Sequence, residues 1–143
     1  MDYFEDLTEG ETAATGSREV TAEDMVSFAE QYDPQPFHVD AEAAAETPFG
    51  GLVASGWHTA ALTMRLLVDG VLSEAATRGA LGVDELRWHQ PVRPGDELTV
   101  ETEIVEKEPW SDEAGLARVR IETSTDGDLA MSMVGLVLFE RRE

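Results

Sequence analysis

The stretch from Ser55 to Leu72 is the feature that most constrains the fold of this chain. Arg65 and Asp69 are its only charged residues, although 28% of the whole chain is charged. Its apolar residues recur at helical spacing; they are Trp57, Ala60, Ala61, Met64, Leu67, Val68 and Val71. A helix that is apolar on so much of its surface is normally surrounded by other structure. The charged and polar residues interrupt this helix too much for it to span a membrane. The sequence therefore predicts that it lies at the centre of the fold.

Strand-like alternation replaces the helical pattern after Gly79. Apolar and polar residues alternate in four segments, which are residues 83–88, 97–106, 117–124 and 129–140. Pro94-Gly95 and Asp126-Gly127 have the composition of turns between such strands. The sequence therefore predicts an α+β domain in which an antiparallel sheet curls around the long helix. We expect residues 1–143 to form this one domain.

Shorter elements are expected before the long helix. Residues 12–20 are a candidate strand, and Thr21 is a weak N-cap for a first helix. This helix must end near Tyr32, because Pro34 disfavours helical geometry at the residue before it. Asp40 is the expected cap of a short Ala-rich turn of helix. These elements place a bent, proline-containing segment between the first helix and the Ala-rich turn.

Charge excludes several classes of partner. The 143 residues include 30 acidic and 10 basic side chains, which gives a net charge of -20. A nucleic-acid backbone and an anionic membrane surface both require clustered Lys and Arg, so neither is an expected partner. Cysteine is absent, which excludes disulfides, thiolate nucleophiles and Cys-based zinc sites. The first residues lack the basic and apolar regions of a signal peptide, so we expect a cytoplasmic protein.

The choice of basic residue is also unusual. Lys107 is the only lysine among the 10 basic residues, and the others are arginine. A high content of acidic residues together with a very low content of lysine suits a protein that works at molar salt. There the Debye length falls to about 3 Å, and self-repulsion between surface charges is largely screened. An ordinary acidic protein is the alternative, and we favour adaptation to salt.

The segment around Asp33 and His38 carries the densest group of reactive side chains. A fully extended chain between these two residues spans roughly 16 Å, so the chain must bend for the side chains to meet. Two prolines between them favour a stiff bend. A carboxylate and an imidazole held together in this way suit acid–base chemistry on one water. Alternatively, Asp33 caps the turn and His38 packs locally.

A second group of residues, at positions 50–58, leads into the N-terminus of the long helix. Its small residues, Gly50-Gly51 and Ala54-Ser55-Gly56, leave backbone N–H groups that can hold a developing negative charge. The alternative is that the glycines only allow close packing. Ser55 with His58 could form a nucleophile–base pair, but no orienting acid follows nearby.

Other polar residues match weaker patterns. Three histidines and a nearby aspartate lack the spacing of a zinc motif; they are His38, His58, His89 and Asp40. We expect His58 and His89 to be packed side chains. Three arginines are candidates for binding a phosphate-bearing ligand, although solvated or ion-paired arginines are more common. They are Arg65, Arg87 and Arg93.

Three motifs follow one another along the chain. They are Asp33-x-Gln35-Pro36-Phe37-His38, Gly50-Gly51-Leu52-Val53-Ala54-Ser55-Gly56-Trp57-His58-Thr59 and Arg87-Trp88-x-x-Pro91-Val92-Arg93-Pro94-Gly95-Asp96. In this order they resemble the MaoC-like dehydratases, which include the (R)-specific enoyl-CoA hydratases of the hot-dog fold. The resemblance covers nearly the whole chain and implies an antiparallel sheet wrapped around a long central helix. Gln35 departs from the family pattern, in which asparagine is usual.

The resemblance implies roles for particular residues. Asp33 and His38 would hold one water, which adds across the double bond of a trans-2-enoyl-CoA. His38 would be the base, Asp33 would orient the water and deliver a proton to the α-carbon, and the N–H of Gly56 would bind the thioester oxygen. The expected substrate contacts are Pro36, Ser55 and Trp57. The resemblance implies no metal or redox cofactor, and it implies a homodimer at least.

Two other functions stay open at this point. A hot-dog acyl-CoA thioesterase typically has an acid on or near the central helix, whereas residues 55–68 contain no Asp or Glu. A non-catalytic acyl-CoA-binding subunit would be expected to lose Asp33 or His38, and both are present. The sequence therefore favours a hydratase over both alternatives.

Overall fold

The structure, a computed structural model, describes residues 1–142. The α-helices are α1 (Ala22–Tyr32), α2 (Pro36–Val39), α3 (Ala41–Ala45) and α4 (Gly56–Gly70). The strands are β1 (Thr12–Glu19), β2 (Thr77–Trp88), β3 (Glu97–Pro109), β4 (Ala114–Thr125) and β5 (Asp128–Glu140). Short 3-10 turns lie at Phe4–Asp6 and Leu72–Glu74. Within residues 1–142, no helix has the length and apolarity needed to cross a membrane.

The strands form one antiparallel sheet in the order β1-β3-β4-β5-β2. The central strands β3, β4 and β5 are consecutive in the chain, so tight turns connect them. Helix α4 lies against one face of this sheet, where Leu66 and Leu67 share the core with Val100, Ile121 and Met131. The predicted α+β arrangement, an antiparallel sheet around a central helix, is confirmed.

Helix α4 contacts the sheet with one of its sides. Its buried side chains are His58, Thr59, Leu62, Thr63, Leu66 and Leu67. The core accepts Thr63 because its hydroxyl donates to the carbonyl of Thr59 at 2.8 Å and lies 2.7 Å from Oγ1 of Thr123. Three of the apolar side chains that gave the helical pattern are between 44% and 58% exposed; they are Trp57, Met64 and Val68. One sheet covers only one side of the helix, so the expectation that other structure surrounds it is met on that side alone.

Strand β2 begins before the predicted start at residue 83. It starts at Thr77 and passes through several register shifts against β5. Gly79 and Gly82 have positive φ angles of 97° and 156°, and Glu85 has a φ of 54°. These conformations belong to β-bulges, which bend an edge strand without ending it. The glycine that the sequence suggested as a boundary is therefore a bend within the strand.

The predicted caps and turns are confirmed. Thr21 accepts a backbone N–H from the first turn of α1 at 3.1 Å, and Asp40 caps α3 by accepting two backbone N–H groups. Helix α1 ends at Tyr32, as Pro34 requires. The turn between β4 and β5 consists of Asp126-Gly127, and both residues have positive φ. Such a turn matches the twist of the strands that it joins.

Candidate active site

The bend between α1 and α2 brings Asp33 and His38 together. Asp33 is the C-cap of α1, and Pro36 begins the single turn of α2 that carries His38. Proline suits this first helical position because its φ is already helical and it needs no N–H acceptor there. As a result, Nε2 of His38 lies 3.4 Å from Oδ2 of Asp33. The predicted encounter of these two side chains is present.

Two neutral side chains hold the carboxylate of Asp33. The hydroxyl of Ser55 donates to Oδ2 at 2.7 Å, and Nε2 of Gln35 donates to Oδ1 at 2.7 Å. These hydrogen bonds hold the pKa of Asp33 below its usual range, with the bond from Ser55 as the largest cause and the facing His38 as a smaller one. At neutral pH, Asp33 is therefore an ionised hydrogen-bond acceptor.

The imidazole of His38 is fixed by a backbone carbonyl. Its Nδ1 lies 2.8 Å from the oxygen of Val53, and an oxygen of this kind can only accept. Nδ1 therefore carries a proton and donates to this carbonyl, which leaves Nε2 facing Asp33. The backbone N–H of Val53 donates in return to the carbonyl of Phe37, next to His38. The histidine is buried, so its ring has little freedom to turn away.

A cavity of about 400 Å³ opens beside this pair. Aromatic side chains form much of its wall; they are Phe37, Phe49, Trp57 and Trp88. Asp33 and His38 are among the few polar groups on its surface, together with Thr59, His89 and Gln90. A mostly apolar cavity with a few converging polar groups is typical of a small-molecule site.

Gly56, the first residue of α4, lies at the edge of the cavity against an aromatic ring. A Cβ at this position would lie 2.4 Å from Cε2 of Trp88, so only glycine fits. The indole N–H of Trp88 donates to the carbonyl of Gly56 at 3.0 Å. Within residues 1–142, the backbone N–H of Gly56 has no acceptor, because the Ser55 hydroxyl caps the N–H of Trp57 instead. This free N–H at a helix N-terminus is suited to hold negative charge.

The expected substrate contacts differ in their positions. Trp57 lies on the cavity wall, with its ring 5.2 Å from that of Trp88. Ser55 is fully buried and does not line the cavity, because its hydroxyl is directed at Asp33. Pro36 is exposed and starts α2, while its neighbour Phe37 forms the wall. The sequence predicted direct contact of Ser55 and Pro36 with a substrate, and this arrangement does not support it.

The two remaining histidines have different environments. His58 is buried and stacks on Phe28 with ring centroids 4.9 Å apart, as expected of a packed side chain. Burial lowers the pKa of His58, and its Nδ1 has no hydrogen-bond partner within residues 1–142. His89 was expected to pack inside a strand, but it follows the end of β2, is exposed and lies 2.7 Å from the hydroxyl of Ser132. In the described part of the chain, no three His, Asp or Glu side chains are grouped to hold a metal ion.

Several cavity residues escaped sequence reasoning. Phe49 follows Pro48 in a loop, and Trp88 ends a strand far along the chain. The one available signal was the motif from Arg87 to Asp96, which placed Trp88 near the Pro94-Gly95 turn without indicating the direction of its side chain. Gln35 was also identified only as a departure from a motif, although it donates to Asp33. Their positions depend on contacts between distant segments.

The arrangement of these groups can activate a water molecule beside a bound carbonyl compound. Oδ2 of Asp33 is an acceptor, Nε2 of His38 is one whenever it carries no proton, and the cavity is open beside both atoms. A water between them can donate one proton to each and keep a lone pair free for attack on a bound electrophile. The free N–H of Gly56 can donate a hydrogen bond to a carbonyl oxygen on which negative charge develops.

The comparisons with known proteins agree with this geometry. Residues 4–125 match the family described as MaoC like domain. A 3-hydroxybutyryl-CoA dehydratase of Methylorubrum extorquens is 33% identical, over 99% of this chain and 86% of that relative. The crystal structure of a MaoC-like dehydratase from Rhodospirillum rubrum has a TM-score of 0.93 and 39% identity, covering 100% of this chain and 99% of that chain.

A second solved structure supports the same grouping. The unliganded R-hydratase PhaJ1 from Pseudomonas aeruginosa has a TM-score of 0.73 and 27% identity, covering 99% of this chain and 86% of that chain. The predicted hot-dog fold is thereby confirmed. The chain belongs to the MaoC-like dehydratase family.

Proposed function

We propose that this protein adds water to a trans-2-enoyl-CoA to form an (R)-3-hydroxyacyl-CoA, or catalyses the reverse dehydration. The observation that carries the proposal is the closeness of Oδ2 of Asp33 and Nε2 of His38, which lie 3.4 Å apart beside a mostly apolar cavity. The relatives described as a 3-hydroxybutyryl-CoA dehydratase and an R-hydratase support the same reaction class.

The reaction uses one water and returns both residues to their starting state. The water oxygen bonds to the β-carbon while one of its protons passes to Nε2 of His38. The electrons of the double bond move toward the thioester carbonyl, which gains enolate character. The α-carbon then takes up the same proton from the Asp33–His38 pair. The sum is addition of H and OH across the double bond.

The protonation state of Asp33 limits how it takes part. Its lowered pKa means that it holds no proton at neutral pH before the water is bound. A proton that Asp33 delivers to the α-carbon is therefore one that the water has released within the same turnover. The 3.4 Å between Oδ2 and Nε2 of His38 is short enough for the pair to share that proton.

The backbone N–H of Gly56 is the proposed stabiliser of the enolate oxygen. It lies at the positive end of α4 and has no acceptor within residues 1–142. A donor of this kind contributes about 2.7–4 kcal/mol to transition-state stability in known enzymes. The Trp88 indole packs against Gly56 so closely that it leaves no room for a Cβ at this residue.

A thioesterase activity has less support. The described acid on α4 is Asp69, which is exposed near the far end of the helix and pairs with Arg65 at 2.8 Å. No carboxylate other than Asp33 lines the cavity within residues 1–142. A non-catalytic binding subunit would not need a carboxylate and an imidazole whose positions are fixed by Ser55 and Val53.

We also propose that the protein works as a homodimer at least. The exposed side chains of Trp57, Met64 and Val68 form an apolar stripe along α4, and β2 is an edge of the sheet. A second copy packed on α4 would remove this stripe from water. Because Trp57 is also on the cavity wall, the partner would help to enclose the cavity.

Incubation with crotonyl-CoA at molar salt tests the proposed reaction. Loss of the enoyl absorbance without release of free thiol is the expected result. Release of free thiol would indicate a thioesterase, and no change in either signal would indicate a binding subunit. Chiral analysis of the product tests the expected R configuration.

Light scattering at molar salt tests the proposed homodimer. We expect at least a dimeric mass for the native protein and a lower mass for Val68→Glu, which places a charge on the apolar stripe. Val105→Glu is the matched control, because Val105 is a 38% exposed valine on β3. A monomeric native protein with full activity would contradict the proposed dimer.

A further inference from the structure

The basic side chains are mostly engaged with acidic partners. Six arginines form ion pairs with carboxylates; they are Arg65, Arg78, Arg118, Arg120, Arg141 and Arg142. Lys107 donates to the carbonyls of Phe4 and Leu7 at 2.8 and 2.9 Å. The other three arginines, Arg18, Arg87 and Arg93, have no carboxylate partner for their side chains within residues 1–142.

Arg93 stands at the edge of the cavity. Its Nη2 donates to the carbonyl of Phe49 at 2.8 Å, and both Phe49 and the preceding Val92 line the cavity. Its backbone N–H donates to Oδ2 of Asp96 at 2.9 Å, which fixes the turn that carries it. The side chain is exposed, and a guanidinium has five N–H donors. One donor therefore anchors the group while others face solvent.

The other two unpaired arginines are less suitable. Arg87 lies along a separate depression of the sheet, where Glu85 and Glu122 are its neighbours. Arg18 is in β1, and its side chain has no hydrogen bond to a described residue of the cavity wall. Of the three, Arg93 is the one whose side chain is hydrogen-bonded to a residue that lines the cavity with Asp33 and His38.

We propose that Arg93 binds a phosphate group of the coenzyme A thioester, an inference that rests on the proposed function. A chain with a net charge of -20 repels an anionic substrate unless a local donor attracts it. The pantetheine arm separates the thioester from the phosphates, so the phosphates lie outside the cavity when the thioester is at Asp33. A guanidinium suits this place because its planar fork can donate two parallel hydrogen bonds to one phosphate.

Gly51 keeps the guanidinium open to a ligand. A Cβ at this position would lie 3.7 Å from Nη1 of Arg93, at ordinary contact distance. A short acidic side chain at position 51 would therefore stand beside the guanidinium and compete with a phosphate. The asparagine of the same size would occupy the space without the charge. This pair of substitutions changes the charge at the site while leaving Arg93 in place.

Calorimetric titration of the free thiol, coenzyme A, tests the proposal at one fixed salt concentration. We expect Arg93→Gln to weaken binding roughly three- to tenfold and Arg93→Lys to retain most of it. Gly51→Asp should weaken binding as Arg93→Gln does, and Gly51→Asn should not. Arg65→Gln is the matched control, since it removes the same charge from an exposed ion pair on α4. Equal affinity in wild type and Arg93→Gln would overturn the proposal.

Hydration kinetics give a second readout. For crotonyl-CoA, Arg93→Gln should raise KM with kcat retained, whereas crotonyl-pantetheine, which lacks phosphate, should be hydrated equally by both proteins. An equal rise in KM for both thioesters would assign Arg93 a structural role and overturn the phosphate contact. Coenzyme A binding involves no turnover, so failure of wild type to hydrate either thioester would refute the proposed function without deciding the Arg93 contact.

Discussion

The hydroxyl of Ser55 donates a 2.7 Å hydrogen bond to Oδ2 of Asp33, the same oxygen that lies 3.4 Å from Nε2 of His38. Ser55 also caps α4, since its hydroxyl accepts the N–H of Trp57 at 3.3 Å. One side chain therefore ties the start of the central helix to the acidic member of the candidate catalytic pair. Any shift in the helix start would be transmitted to the carboxylate.

Replacement of Ser55 by alanine tests this connection. We expect Ser55→Ala to lower kcat for crotonyl-CoA roughly 10- to 100-fold, because Asp33 loses one of its two neutral donors and its position. Loss of the cap should also reduce the free energy of unfolding by about 1 kcal/mol. Thr21→Ala is the control, because it removes the N-cap of α1 away from the cavity. Thr21→Ala should reduce the free energy of unfolding by a similar amount and leave kcat unchanged. If both variants lost kcat equally, the proposed role of Ser55 would be contradicted.

Replacement of Gly56 by alanine tests the close packing at the helix start. The new Cβ would overlap the indole of Trp88, so the indole or the helix must move. We expect Gly56→Ala to lower stability by about 1–3 kcal/mol and to reduce hydration strongly. Gly16→Ala is the control, since a Cβ there has no heavy atom within 4 Å. Thermal melts and crotonyl-CoA kinetics of both variants decide the matter, and a fully active Gly56→Ala would contradict the proposed oxyanion position.

The central helix illustrates what the sequence could and could not predict. The spacing of apolar residues correctly indicated a long helix from about Ser55, but it did not indicate that Trp57, Met64 and Val68 are exposed. Thr59 and Thr63 are polar in any sequence scale, yet they lie in the core because Thr63 is bonded to a carbonyl and to Thr123. Such pairing depends on a strand 60 residues away, so it leaves no local signal.

The site was predictable to the extent that it is local. Asp33 and His38 belong to one short segment whose prolines restrict the backbone, and the predicted meeting of the two side chains follows from that stiffness. Phe49 and Trp88 could not be assigned, because their place on the cavity wall depends on strand register and on the bulges of β2. Sequence patterns predicted the chemistry of the pair better than the shape of the cavity.

The buried imidazole of His58 predicts a pH dependence of stability. Burial lowers its pKa in the folded protein, so the folded state binds its proton less readily than the unfolded state. The free energy of unfolding is therefore highest above the ordinary histidine pKa of about 6.5, where His58 is neutral in both states. It decreases as the pH falls from there toward the lower pKa that His58 has in the folded protein. His58→Phe keeps an aromatic ring against Phe28 and removes the titration.

Thermal melts between pH 7.5 and pH 5 at molar salt compare the two proteins. We expect the melting temperature of wild type to fall relative to that of His58→Phe as the pH drops below about 6.5. The difference between the proteins isolates His58, since protonation of surface carboxylates affects both alike. Parallel melting curves across this range would contradict the assignment.

The charge of the chain predicts a strong response to salt. Six arginine–carboxylate pairs leave most of the 30 acidic residues without a basic partner within residues 1–142. Exposed pairs of this kind contribute little to stability, so relief of repulsion should outweigh their screening. We expect the melting temperature and hydration activity to rise together from about 0.1 M to about 1 M KCl. A flat melting temperature would refute adaptation to salt and leave the proposed reaction untouched.

The central claim is that Asp33 and His38 act on one water, and a double-mutant cycle tests it most directly. Asp33→Ala, His38→Ala and the double variant are compared with wild type by kcat/KM for crotonyl-CoA, with circular dichroism to check that each is folded. We predict that each single variant loses most of the activity and that the double variant loses little more than the worse single one. Near wild-type turnover in either single variant, or losses that multiply in the double variant, would contradict the account.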